Sequence, residues 1–120
     1  MIPVQRDDQD DISIVRIEGE LDFENTVWLR GELHELLKQN RVKIILDLSQ
    51  VELISSYTVG VFVAFARDLR DRGGDLKFSS LRHRLKQTFK ATRIDHILDV
   101  FDSEEDAKQA FRKSTAAEGA

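Results

Sequence analysis

A chain of 120 residues has room for one domain of ordinary size, and two separate cores would be hard to build from it. Its 41% hydrophobic content, with seven Phe, is enough for a packed interior and excludes disorder as the default state. Eighteen Lys and Arg against 22 Asp and Glu leave a formal charge of −4, the wrong sign for bulk nucleic-acid binding; the absence of Cys removes disulfides, thiolate nucleophiles and thiolate metal sites.

The segment Met1–Asp11 carries four aspartates and no apolar run, unlike a secretory signal. The longest apolar stretch, Val59–Ala66, is too short to cross a bilayer. A cytoplasmic domain without membrane attachment is therefore expected, and the lack of Cys fits that compartment. Ile12, Ile14, Val15 and Ile17 form a β-branched run ending at Glu18-Gly19 and predict a strand, with residues 2–6 as a short partner and Asp7–Asp11 as the turn. Leu29, Leu33, Leu36 and Leu37 recur at helical spacing and predict a helix over 24–39, which Asn40 ends in a left-handed conformation. Trp28 lies off that stripe. Val42–Leu48 is apolar almost throughout, as a strand covered on both faces requires.

A helix is predicted over 57–72, ended by Gly73-Gly74, with Val59, Phe62, Val63, Ala66 and Leu69 as its core stripe and Val61 and Phe65 surplus to it. Leu76–Ser79 predicts a strand, 84–92 a short helix, and Ile97–Phe101 a last short strand. Ser103, three residues before Asp106, has the pattern of a helix start and opens a helix over 104–112. Strands alternating with helices predict an α/β fold: a mixed four- to five-stranded sheet flanked by about four helices. Residues 1–113 form the single domain, and the small, polar segment 114–120 is expected to be a flexible tail.

Enzyme signatures are absent. There is no Gly-x-Ser-x-Gly elbow, no phosphate loop and no dinucleotide fingerprint at Gly73-Gly74, so no catalytic residue or cofactor is assigned. His34, His83 and His96 have no partner at metal-ligand spacing, so no metal is assigned either. A phosphoaspartate receiver is also a βα chain of this length, and Asp47 near the end of an apolar strand fits its acceptor. It also requires acidic magnesium ligands after the first strand and a Lys after the last parallel strand; here Asp102-Ser103 follows that strand, and no Lys occurs before Lys108. Arg82, Arg84, Lys86, Lys90 and Arg93 fall in an acid-free stretch, readable as a solvated helix face or as a docking surface for an acidic partner. The hydroxyl cluster Ser55-Ser56-Tyr57-Thr58 meets the start of a helix. A serine there either caps the helix or, if phosphorylated, places its phosphate against free amides and the positive helix end.

Ile17-Glu18-Gly19-Glu20-Leu21-Asp22, then Ile45-Leu46-Asp47-Leu48-Ser49-x-Val51-x-x-Ile54, then Ser55-Ser56-Tyr57-Thr58-Val59-Gly60-Val61, and finally the closing Ile97–Ala107 segment together resemble the STAS domain of bacterial anti-sigma factor antagonists. The likeness covers about residues 4–112. It implies a STAS-like fold and a non-enzymatic role in partner switching: an unphosphorylated antagonist binds an anti-sigma factor that is also a serine kinase, phosphorylation breaks the complex, and a phosphatase resets it. The family's phosphorylated residue maps onto Ser56, with Ser55 as the alternative acceptor, and its acidic residue near the binding face maps onto Asp22. The chain departs from the pattern with Ser55 where Asp is usual, Tyr57 where a second Ser or Thr follows, and Thr58 where Gly is usual. Those departures favour the alternative of a phosphorylation-independent scaffold or sensory module. The predicted docking face comprises Glu20, Asp22, Ser55, Ser56, Tyr57, Thr58 and Val61, on a monomer or weak homodimer with no direct role for nucleic acid.

Overall fold

The structure, a computed structural model, describes residues 2–119 and their side chains as far as Lys113. Its elements in chain order are β1 (Val4–Gln9), β2 (Ile12–Glu18), α1 (Phe23–Lys38), β3 (Lys43–Gln50), α2 (Ser56–Asp71), β4 (Asp75–Ser79), α3 (His83–Ala91), a single 3-10 turn (Ile94–His96), β5 (Asp99–Phe101) and α4 (Glu104–Gly119). The five strands lie in the order β1-β2-β3-β4-β5, with β1 antiparallel to β2 and every other pair parallel. The expected mixed α/β sheet with four helices is what forms.

Two local expectations are corrected. The acidic run is strand rather than turn: β1 extends to Gln9, and the reversal is Asp10-Asp11, with Asp10 left-handed at φ 54°. Its carboxylates are tolerated there because Arg6 binds Asp8 at 2.8 Å and Arg16 reaches Asp7 at 3.3 Å. The last strand is only 99–101. Arg93, left-handed at φ 59°, ends the turns of α3, and the Ile94 carbonyl accepts from the Ile97 and Leu98 amides, so this stretch coils before it extends. The helix ends follow their sequence signals. Asn40 is left-handed at φ 60°, with its amide on the Leu37 carbonyl and the Arg41 amide on the Leu36 carbonyl. Gly73 takes φ 85°, and Gly74 lies so close to the Val42 backbone that a Cβ would collide with the Val42 carbonyl. The Ser103 hydroxyl accepts from the Asp106 amide at 3.1 Å and caps α4. That helix is drawn to Gly119, whereas the expected tail, 114–120, lies outside the described side chains.

The helices are divided unequally between the two faces of the sheet. The main core joins Val15, Ile17, Ile44, Leu46, Leu48, Leu76 and Phe78 to α1, α2 and α3. Phe62, Phe78 and Phe89 run through it as a chain of rings 5.0 and 5.7 Å apart, tying α2, β4 and α3 together. Trp28 is half-buried against this core. Among the described residues, the apolar cluster on the opposite face is Ile12, Ile14 and Ile45 under Ala107 and Phe111 of α4, with Phe101 packed beside them. Phe65, expected to be surplus, is 5% exposed: α1 lies against α2 and covers it, with the His34 ring edge-on at 5.7 Å.

Candidate functional site

The loops leaving β2 and β3 run side by side and place the candidate residues together at one end of the sheet. Leu21 and Ile54 form a parallel bridge, the Leu21 amide donates to the Leu53 carbonyl at 3.0 Å, and the Ser55 amide donates to the Leu21 carbonyl at 2.9 Å. The Glu20–Asp22 and Ser55–Thr58 segments are thereby fixed as one surface, on which α1 and α2 begin.

The hydroxyls divide into structural and free. Ser55 is the N-cap of α2: its Oγ accepts from the Thr58 amide at 3.2 Å, while Thr58 Oγ1 accepts from the Ser55 amide at 3.2 Å, a reciprocal capping box. Thr58 is fully buried at the centre of the assembly, bonded to Ser55 Oγ and Thr26 Oγ1 at 2.7 Å each and to the Leu21 carbonyl at 2.9 Å. It therefore supports the face from beneath and offers a partner no surface. Ser56, the first helical residue, is exposed and is not the cap. A phosphate there would stand at the N-terminal end of α2, where backbone N–H groups and the helix dipole favour negative charge.

Asp22 is exposed and caps α1, its Oδ1 accepting from the Asn25 amide at 2.8 Å, so this carboxylate has a structural duty as well as a position on the face. Glu20 is also exposed, and its carbonyl accepts from Asn25 Nδ2 at 2.9 Å. Tyr57 is half-buried, its ring 4.7 Å from that of Phe23, and Val61 is half-buried one turn further along α2. Phe23 (61% exposed), Val27 (46%) and Leu53 (41%) complete an apolar patch that sequence reasoning missed. Phe23 and Val27 are four residues apart off the leucine stripe of α1, and that spacing was the available signal. From Tyr57 a groove of about 470 Å³ continues between α1 and α2, past Arg30, His34, Val61, Phe65 and Asp68.

The basic stretch around α3 is partly neutralised. Arg82 donates to the Ser49 carbonyl and to Glu52 at 2.8 and 2.7 Å, and Lys86 reaches Asp102 at 3.4 Å, whereas Arg84, Lys90 and Arg93 lie exposed. Among the described residues no three His, Asp or Glu side chains are grouped to hold a metal, and no helix is long and apolar enough to cross a membrane.

Residues 3–107 match the family model of the STAS domain, and the chain belongs to that family. A Thermotoga maritima protein named as an anti-sigma factor antagonist is 29% identical over 105 residues, which cover 87% of this chain and 93% of that relative. The Bacillus subtilis anti-sigma-B factor antagonist is 33% identical over 86 residues, covering 72% of this chain and 78% of its own length. In three dimensions the chain is similar to the crystal structure of a Thermotoga maritima anti-sigma factor antagonist, with a TM-score of 0.85 at 27% identity and coverage of 91% and 94%.

Proposed function

We propose that this domain is a cytoplasmic, non-enzymatic anti-sigma factor antagonist that docks through the surface around Ser56 onto an anti-sigma factor with serine-kinase activity. Phosphorylation of Ser56 ends the complex, and a phosphatase restores it. The observation that carries this reading is the contrast within one cluster: Ser55 and Thr58 are committed to the capping box, while Ser56 is exposed on a segment that the Leu21–Ile54 bridge holds beside the one carrying Glu20 and Asp22. A dianion on Ser56 leaves the helix intact, so its effect falls on the docked face, which has to lose water to bind. Incubation with the cognate anti-sigma kinase and ATP, followed by mass mapping, tests the assignment. Phosphate on Ser56 supports it; phosphate on Ser55, or on neither serine, refutes it.

A second reading, a phosphorylation-independent scaffold or sensory module, is favoured by the Tyr57–Phe23 ring pair and the groove below it. This aromatic group beside the acceptor serine departs from the family pattern. Complex formation with the same anti-sigma factor that ATP leaves unchanged would favour this alternative.

A further inference from the structure

The basic stretch around α3 lies outside the residues assigned to the Ser56 face. Five of the chain's 18 basic residues, Arg82, Arg84, Lys86, Lys90 and Arg93, fall within residues 80–93 without one acid, in a chain of net charge −4. Stability does not account for them. The helices α1, α2 and α4 open on Asp22, Ser55 and Ser103, each of which accepts a backbone amide. By contrast, α3 opens on Arg82, which makes no such bond, and it holds no acid in its first turn, where Arg84 stands at the positive end of the helix dipole. Local electrostatics there ask for the opposite charge. Arg82 and Lys86 each meet one carboxylate, Glu52 at 2.7 Å and Asp102 at 3.4 Å. Arg84, Lys90 and Arg93 are exposed and have no ion pair among the described residues.

These cations border a groove of about 360 Å³ between α3 and β5. Its floor is apolar, made by Leu81, Phe89 and Val100. Lys86 and Lys90, four residues apart on one side of α3, form one lip, and Asp95 and Asp102 complete the lining. Asp102 is turned onto Lys86, and Asp95 faces His96 at 3.9 Å. Such a groove suits a chain segment that carries both acidic and apolar side chains, because carboxylates complement the lysine lip while an apolar group covers the floor. A nucleic acid would lie against two aspartates without a ring to stack on, since Phe89 is 1% exposed. A bilayer would meet one exposed large apolar side chain in the whole segment 80–102, Ile97.

We propose that the groove between α3 and β5 is a second docking site, for an acidic protein segment with an apolar anchor. The carboxylates of that segment pair with Lys86 and Lys90, and its anchor lies on Leu81, Phe89 and Val100. Binding exchanges the long Lys86–Asp102 contact for a closer pair and frees Asp102, whose side chain is already 86% exposed, to water. Arg84 and Arg93, near the two ends of α3, add to the positive field that draws the segment in. This inference stands apart from the partner-switching reading and uses none of its residues.

Fluorescence anisotropy with the full chain tests the site. The probe is a short fluorescein-labelled peptide of Glu with interspersed Leu, compared with the same peptide carrying Gln for Glu or Ser for Leu. The Glu–Leu peptide is expected to bind, more weakly as salt rises, and both replacements should abolish binding. Lys86→Glu combined with Lys90→Glu should weaken it about tenfold or more. Arg112→Glu combined with Lys113→Glu changes the net charge equally but on α4, and should leave affinity within about twofold of wild type. Amide NMR shifts of the wild-type protein, which need no variant, should centre on Leu81, Phe89 and Val100. Absence of peptide binding, equal losses in the two double variants, shifts that avoid the groove, or tighter binding of oligothymidylate or phosphatidylglycerol vesicles would each overturn the proposal.

Discussion

Replacing Thr58 with Val keeps the shape of a fully buried side chain and deletes one hydroxyl, so it measures what the hydroxyl cluster contributes to the docking face. The oxygen is bonded to Ser55 Oγ, Thr26 Oγ1 and the Leu21 carbonyl and accepts from the Ser55 amide. Each main partner retains another bond. The Leu21 carbonyl keeps the Ser55 amide at 2.9 Å, and Thr26 Oγ1 keeps the Asp22 carbonyl at 2.6 Å. The loss is therefore that of made bonds rather than of orphaned groups, about 1–2 kcal/mol instead of the 3 or more that stranding several buried polar atoms would cost. With a specific unfolding entropy of about 2.1 cal/mol/K per residue, a 120-residue domain loses about 4 °C in Tm per kcal/mol, giving an expected drop of about 4–8 °C. Thermal melts and urea titrations read this directly, and a double-mutant cycle with Thr26→Val should show coupling of about 0.5 kcal/mol or more because the two hydroxyls touch. A Tm within about 2 °C of wild type would refute the view that Thr58 joins the two loops.

Four other outcomes are expected. Ser55→Ala should cost about 1 kcal/mol in chemical denaturation, whereas Ser56→Ala should stay within about 0.5 kcal/mol, because only Ser55 caps α2. Asp22→Ala should lower stability by about 1 kcal/mol through its cap on α1 and also weaken binding to the anti-sigma factor; in an equilibrium melt with parallel calorimetric titration, unchanged binding would remove Asp22 from the interface. Ser56→Asp should leave Tm nearly unchanged and reduce affinity at least tenfold relative to Ser56→Ala, a comparison that surface plasmon resonance makes directly. Arg16→Met should move the acid-unfolding midpoint upward, since Arg16 holds Glu104 at about 2 and its loss lets that carboxylate protonate earlier as pH falls.

Periodicity and end signals were enough to locate most of the fold. The leucine stripe of α1, the left-handed Asn40, the apolar run of β3, the glycine pair before β4 and the Ser103 cap each act within a few residues, so each can be read without knowing what packs against it. The hydroxyl cluster was legible as a site for the same reason: small polar residues at a helix start have few roles. Which hydroxyl does what was decided by tertiary structure. Ser55 and Thr58 both bond to the Leu21 carbonyl beside the parallel bridge of Leu21 and Ile54, which joins segments more than thirty residues apart, whereas Ser56 is left exposed. The same holds for Phe65, buried because α1 lies over it, and for Phe23, left outside with Tyr57 beside it. The acidic start of the chain became a strand because Arg16, on the neighbouring strand, reaches Asp7, and Arg16 acquired its second partner, Glu104, only when α4 folded back over the sheet. Helix and strand tendencies are local free energies carried by neighbouring residues, but burial and charge pairing depend on distances that the chain acquires only when its layers close.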